Sequence, residues 1–458
     1  MHDFSQCNCR EGSSNILLLL SRLTVIRPFE KGDPFSLLIE TLNALNAGDI
    51  LACISSYHKL TSALIHSKAR RVSGDVWRDY LLYLLIETPH AFAKAAAAGI
   101  EDEPLYSAMR TDLCVLGTLS SLKDEDIRRF ALEKQHDTKL SPHRNDPIGL
   151  ASTSAWSGAP VRHTASNTQS TASFITTCEA DYISWQYDNA LMHDEYVCDE
   201  TLEEIYLRFL QTADWRPFAE DLWSFFSSYG CGDFIKHKLF TYDCKKGLVP
   251  LPSLAEREAL FPVSFYEMQH RKALEHTISF MQGSRVENML ICGGAATGKT
   301  ELLLSLCDEL PELRLVLCNA ASCTALSELF EAISCQPLRF MVLLDNIRFD
   351  SDEADTLFST LECTKLLPKN VLLCATSRSR GEERNFPLCI TMPYPTLNDF
   401  VDIISEILSQ YDVRIQSELI RSRCIDYQAE AKEKLSLSAA KRIADEYIKK
   451  QGGFYADI

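Results

Sequence analysis

Five short runs of unbroken apolar character set the strongest limit on how this chain can fold. They are "NMLIC" (Asn288 to Cys292), "LRLVLC" (Leu313 to Cys318), "FMVLLD" (Phe340 to Asp345), "NVLLCAT" (Asn370 to Thr376) and "LCITM" (Leu388 to Met392). A strand with one wet face alternates apolar and polar residues, whereas a strand covered on both faces does not. Longer polar-apolar segments of helical character separate the runs, which is the βαβ alternation of a parallel sheet. The expected fold class is α/β: a five-stranded parallel sheet with flanking helices, preceded by an α-helical N-terminal region.

The first run leads into "GGAATGKT", where Gly293, Gly294, Ala295, Ala296, Thr297, Gly298, Lys299 and Thr300 fit G-x-x-x-x-G-K-[ST]. A predicted strand precedes the pattern and a helical segment, "KTELLLSLCDEL", follows it, which is the context a phosphate-binding loop needs. Glycines let the backbone curl so that successive N–H groups face phosphate oxygens, and the helix N-terminus adds partial positive charge. The expected nucleotide-binding set is Gly293 through Glu301. Lys299 would reach the β- and γ-phosphates, and the Thr300 hydroxyl would ligate Mg²⁺. The cofactors implied are ATP and Mg²⁺. A Gly-rich turn with no ligand is the competing reading of the same residues.

Asp345 closes the third run, where a carboxylate at a strand tip can face the metal, so Thr300 and Asp345 form the expected metal pair. A lone Asp after an apolar strand can also be a plain turn residue. Asn346 follows it, and an amide can orient water but cannot accept its proton. Asp350, Asp352 and Glu353 lie past the strand end and are poor substitutes. Thr376 and Ser377 at the fourth tip can touch a γ-phosphate or lytic water, or simply make a Ser/Thr turn. Arg384, just before the fifth run, can either neutralise transition-state charge in a neighbouring subunit or be a solvated surface residue. The candidate catalytic set is therefore Lys299, Asp345, Asn346, Thr376, Ser377 and Arg384.

The N-terminal half reads as helices from about Ser13 to Lys134. "DVWRDYLLYLLIET" opens on an N-cap Asp75 and sets Trp77, Tyr80, Leu81, Leu84 and Leu85 along one face, a core stripe. From Gln135 to Ser173 the composition turns to Ser, Thr, Ala, Pro and Asn, too poor in large apolar groups to offset its ordering entropy, so a flexible linker is expected. In "TLEEIYLRFLQTADWRPFAEDLWSFFSSYG", Thr201 and Glu204 form an expected capping box and Gly230 an expected C-cap. "CGDFIKHKLFTYDCKKGLVPLP" is expected to be a short extended connector, with Lys236, His237 and Lys238 on a solvated face. The resulting domain plan is 1–134 helical, 135–175 linker, 176–260 helical and extended connector, and 261–458 sheet domain with C-terminal helices.

The net charge of −17 repels a phosphodiester backbone, and no basic cluster is longer than "KARR" (Lys68 to Arg71), so general nucleic-acid binding is not expected. The 17 cysteines are an odd count, mostly single residues inside apolar runs such as Cys292, Cys318, Cys374 and Cys389. Reduced thiols in a cytoplasmic protein are the expectation. Cys7 and Cys9 form one close pair with no second pair at ligand spacing. "NILLLL" (Asn15 to Leu20) falls short of the roughly 18 residues of a membrane span, and no basic segment precedes it as in a signal peptide.

Taken together, the loop, the Asp-terminated third strand, the polar fourth tip and the arginine before strand five resemble the AAA+ ATPases. More closely, residues Phe261 to Tyr447 resemble an uncharacterised bacterial family of predicted AAA+ ATPases, known as a domain of unknown function. Its "GYExQ" segment and following helix correspond to "FYEMQHRKALEHTISFMQG", its two-acid strand end to Asp345 and Asn346, and its "ATSN" to Ala375 to Arg378. Its "SDRFGL" and "YPP" correspond to "ERNFPL" and "MPYP". Weaker likeness extends to "WRDYLLYLLIETPHAF" and "FFSSYGCGDFIKHKLFTYD".

The chain departs from that pattern at Phe265 in place of Gly, at Asn346 in place of an acid, and at Arg378 in place of Asn. Ser438 stands where a sensor arginine is expected, with Lys441 and Arg442 the nearest cations in sequence. The resemblance implies ATP-driven conformational change on a protein partner, and a ring of subunits. The departures favour a second reading, a nucleotide-binding switch with impaired hydrolysis. A third, a P-loop kinase for a small molecule, would need Arg378, Arg380 and Arg384 to form a phosphate-binding lid.

Overall fold

A computed structural model describes residues 9–27, 29–139, 184–187, 199–251, 263–318, 326–349, 367–378, 386–431 and 434–455. They fall into two compact units: those within Met1–Phe92, Asp102–Glu195 and Asp199–Trp223, and those within Ala93–Glu101, Tyr196–Cys198 and Ser224–Ile458.

The first unit is helical. It holds α1 (Cys9–Arg22), α2 (Pro34–Ala47), α3 (Ile50–Ile65), α4 (Val76–Ile86), the start of α5 (Ala91–Ala98), α6 (Glu103–Leu119), α7 (Asp124–Lys139), α8 (Asp199–Gln211) and the start of α9 (Ala219–Tyr229). Asp75 caps α4 by accepting from the Trp77 and Arg78 N–H groups at 2.8 and 3.2 Å. Trp77, Tyr80, Leu81 and Leu85 are buried as the stripe predicts, while Leu82 is buried and Leu84 only half-buried. The buried Asp112 carboxylate accepts from the N–H groups of Thr24, Val25 and Ile26 at 2.8–2.9 Å, holding the turn after α1 in place. Trp185 inserts into this core, stacked on Tyr57 at 6.0 Å.

Two local expectations change here. Helix α8 begins at Asp199, so Thr201 lies inside it rather than at its cap. Helix α7 continues through Lys139, past the expected helical limit at 134. Gly230 does follow α9 in the left-handed region, at φ +75°. Cys7 and most of the expected linker lie outside the described residues.

The second unit contains α10 (Asp233–Lys236), β1 (Leu239–Asp243), β2 (Gly247–Pro250), α11 (Glu267–Met281), β3 (Met289–Gly293), α12 (Lys299–Glu309), β4 (Leu313–Cys318) and α13 (Leu326–Ser334). It continues through β5 (Arg339–Ile347), β6 (Val371–Ser377), β7 (Leu388–Met392), α14 (Leu397–Gln410), α15 (Ser417–Ala431) and α16 (Leu437–Tyr455). The sheet order is β2-β1-β4-β5-β6-β3-β7, parallel except for the antiparallel β1–β2 pair. All five apolar runs are strands. The sheet is two strands wider than expected because the connector "KLFTYDCKKGLVP" forms a hairpin whose first strand pairs with β4, Leu239 opposite Leu315.

Successive residues of each inner strand enter opposite cores, which is why their apolarity is unbroken. Met289, Ile291, Leu313, Leu315, Met341 and Leu343 pack with α11, α12, α14 and α16, whereas Leu290, Cys292, Val316, Val342 and Leu344 pack with α13 on the other face. Strand β3 lies between β6 and β7, while the chain leaves it to form β4 beyond β5. Such a reversal of strand order opens a crevice at the C-terminal strand ends, and the glycine loop sits there.

Candidate phosphate-binding site

The loop after β3 is closed by its own side chains. Gly298 adopts φ +89°, a conformation that costs a residue with a Cβ about 1–2 kcal/mol, and starts α12 with no side chain capping it. The first-turn N–H groups of α12 thus lack a side-chain acceptor, the usual condition for anion binding at a helix start. Thr297 donates through Oγ1 to Gly294 O at 3.1 Å, and the Lys299 ammonium donates to Gly293 O at 3.0 Å and Gly294 O at 2.6 Å. The lysine therefore lies folded over the loop. Burial lowers its pKa, Asp345 opposes that shift, and the Arg378 guanidinium reinforces it.

Asp345 faces this loop across β6. Between the pairs Leu344–Ala375 and Ile347–Ser377, Asp345 and Asn346 lie opposite Thr376 alone, so β5 bulges at its tip. Asn346 takes φ +56°, a region in which Asn is several-fold enriched among non-glycine residues. The bulge brings Asp345 Oδ1 within 3.1 Å of Thr300 Oγ1 and 2.6 Å of Thr376 Oγ1, both hydroxyls donating to it. Thr376 Oγ1 in turn accepts from the Asn346 N–H at 2.7 Å.

Thr376 and Ser377 are fully buried, and Ser377 donates to Ile347 O at 3.0 Å. These two hydroxyls hold the β5 and β6 tips together instead of pointing to open space, whereas Asp345 and Asn346 are exposed. Glu301 lies half-buried in the first turn of α12. Arg384, Arg380, Asp350, Asp352 and Glu353 lie outside the described residues.

Two further residues, Tyr394 and Ser438, also reach the loop. Tyr394, just after β7, lies against Gly294 so closely that a Cβ there would meet its ring at 2.1 Å. Its hydroxyl donates to Ala295 O at 3.3 Å, and the Lys434 ammonium sits 4.9 Å from its ring centre. The Ser438 N–H, at the start of α16, donates to Ala296 O at 3.3 Å, and Ala296 itself holds φ +60°. The aromatic turn "YP" directly after the fifth run was the readable signal for Tyr394, because β7 pairs with the loop-bearing strand. Arg442 is occupied elsewhere, donating to the Tyr427 hydroxyl.

The donor set fits a hard cation: one carboxylate and one hydroxyl, with no softer ligand among the residues that converge here. Among the described residues no group of three or more His, Cys, Asp or Glu could hold a metal alone. Among the described residues no helix is long and apolar enough to cross a membrane.

Comparison with solved structures gives partial matches in which this chain spans about two thirds of the other. The Thermotoga maritima RuvB Holliday junction branch migration motor is 16% identical, with 41% of this chain and 65% of that chain covered and a TM-score of 0.33. The Aeropyrum pernix Orc1 protein in complex with DNA is 18% identical, with 44% of this chain and 66% of that chain covered and a TM-score of 0.33. No curated protein matches the chain. The architecture is α/β, with a mostly parallel seven-stranded sheet, and residues 236–381, which carry β1 to β6 and the glycine loop, match the family described as Protein of unknown function (DUF815).

Proposed function

We propose that this protein binds Mg·ATP on the loop from Gly293 to Thr300 and couples its binding and hydrolysis to a conformational change on a protein partner or a second copy. The observation that carries the reading is the meeting of Thr300 and Thr376 on Asp345 Oδ1 beside a lysine-closed loop at an uncapped helix start. A triphosphate takes over the Lys299 ammonium from the Gly293 and Gly294 carbonyls and accepts from the N–H groups at the helix start, which no side chain caps. Thr300 and Asp345 would hold Mg²⁺, which supplies charge neutralisation between the β- and γ-phosphates when bound. Thr376 fixes the carboxylate's position, and Asn346 orients water from the bulge. Arg384 keeps its proposed role toward a neighbouring subunit. The helical N-terminal region is the proposed partner-facing part, and the chain's acidity is the ground for not proposing general nucleic-acid binding.

A second reading rests on Asn346: no carboxylate follows Asp345 on the bulge, so the chain binds ATP as a switch with little turnover. Phosphate release separates the two. Release from ATP above that of Lys299→Ala supports the ATPase. Tight Mg·ATP uptake without release supports the switch, and absence of uptake removes both.

A further inference from the structure

Cys292 immediately precedes the glycine loop on β3, and β7 sets a second cysteine beside it. In the β3–β7 ladder Leu290 pairs with Cys389 and Cys292 pairs with Thr391, so these four side chains leave the same face of the sheet. The Cys292 and Cys389 sulfurs lie 3.3 Å apart, and the Cys292 sulfur is also 3.3 Å from Thr391 Oγ1. Cys292 is buried and Cys389 half-buried, so a small solute reaches Cys389 first.

Two thiols this close can be joined by a peroxide. The Cys389 thiolate attacks one peroxide oxygen, the O–O bond breaks, and hydroxide leaves to become water, giving a sulfenic acid. The Cys292 thiolate then attacks that sulfur, the S–S bond forms, the S–O bond breaks, and a second water leaves. Both thiols are oxidised, and one hydrogen peroxide is reduced to two waters.

The bond has a mechanical consequence. A disulfide is about 2.05 Å long, so the sulfurs must approach by roughly 1.2 Å, across the diagonal of the ladder rather than from facing positions. The strand ends have no room to close further, because a Cβ on Gly293 would already meet Met392 O at 2.5 Å. On its other side Cys292 is held in register with Ser377 of β6. The displacement therefore passes into the Gly293 peptide, whose carbonyl holds the Lys299 ammonium.

We propose that Cys292 and Cys389 are a peroxide-sensitive thiol pair whose disulfide distorts the start of the glycine loop and weakens nucleotide binding there. The effect on binding rests on the reading that a nucleotide occupies the loop; formation of the disulfide does not.

The test treats the full chain with hydrogen peroxide, blocks the remaining thiols, maps its peptides without reductant, and titrates Mg·ATP by calorimetry before and after. The expected results are a linked Cys292–Cys389 peptide pair and a loss of Mg·ATP affinity of roughly tenfold, both reversed by dithiothreitol. Cys389→Ser and Cys389→Ala should bind Mg·ATP as reduced wild type does and keep that affinity after peroxide. Absence of the linked pair overturns the proposal. A linked pair with unchanged affinity, or an equal loss in the Cys389 variants, overturns control of the loop. Failure of reduced wild type to take up Mg·ATP overturns the nucleotide reading and the control with it, while the peptide map still decides the disulfide.

Discussion

Thr376 Oγ1 lies 2.6 Å from Asp345 Oδ1 and 2.7 Å from the Asn346 nitrogen, so one buried hydroxyl fixes both residues of the β5 bulge. It donates to the carboxylate and accepts from the amide. Thr376→Val keeps the side-chain shape and removes both bonds. The chain should lose about 1–2 kcal/mol in urea unfolding, since a polar bond pair is lost at a buried position. Mg·ATP affinity should fall in calorimetry while metal-free ATP affinity changes little, because the hydroxyl acts through Asp345. Equal losses with and without Mg²⁺ would detach Thr376 from the metal pair.

Asn346 holds φ +56°, which Asp tolerates and a β-branched residue does not. Asn346→Asp should therefore leave stability within about 0.5 kcal/mol of wild type. If the missing second acid is what limits turnover, phosphate release should rise in that variant. Asn346→Val should cost about 1–2 kcal/mol for the left-handed backbone. An Asn346→Val protein as stable as wild type would show that the bulge is not as described.

Gly294 and Tyr394 should be energetically coupled. Gly294→Ala drives a methyl group into the ring and should cost about 1–3 kcal/mol. In a Tyr394→Ala background the same change should cost markedly less, and the double-mutant cycle reads the difference. Simple additivity would place the ring away from the loop.

Much of the sheet was legible in the sequence because strands buried on both faces have a local signature. The runs at Asn288, Leu313, Phe340, Asn370 and Leu388 could be read one at a time. The β1–β2 hairpin could not: "LFTYD" is short, follows Lys236-His237-Lys238, and acquires its meaning from parallel pairing with β4 more than seventy residues later. The glycine loop was legible for the same local reason as the strands. The Asp345 bulge was not, since the shift appears only once β6 supplies Thr376 as partner. Tyr394 and Ser438 lie about 100 to 140 residues from the loop crest they touch; the turn after the fifth run signals the first, and no spacing rule joins the second to the loop. In sequence Asn346 stands where a second acid is expected. Its positive φ adds a second reason for that residue type, the tolerance of Asn for left-handed backbone.

Asp345→Asn keeps the acceptor oxygen for Thr300 and Thr376 but removes the charge that would hold a divalent cation. Its thermal stability should stay near wild type, because one amide oxygen can accept from both hydroxyls. The dependence of ATP affinity on Mg²⁺ should shrink, as a titration with and without a chelator would report. A variant with full Mg²⁺ dependence would remove Asp345 from the metal pair.

The most direct measurement is calorimetric titration of Mg·ATP into the full chain beside Lys299→Ala. Binding to wild type with at least ~100-fold weakening in the variant is the predicted result, from two lost charge-assisted contacts of about 1.5 kcal/mol each. No heat of binding in wild type, or equal affinity in both proteins, would contradict a phosphate-binding role for the loop.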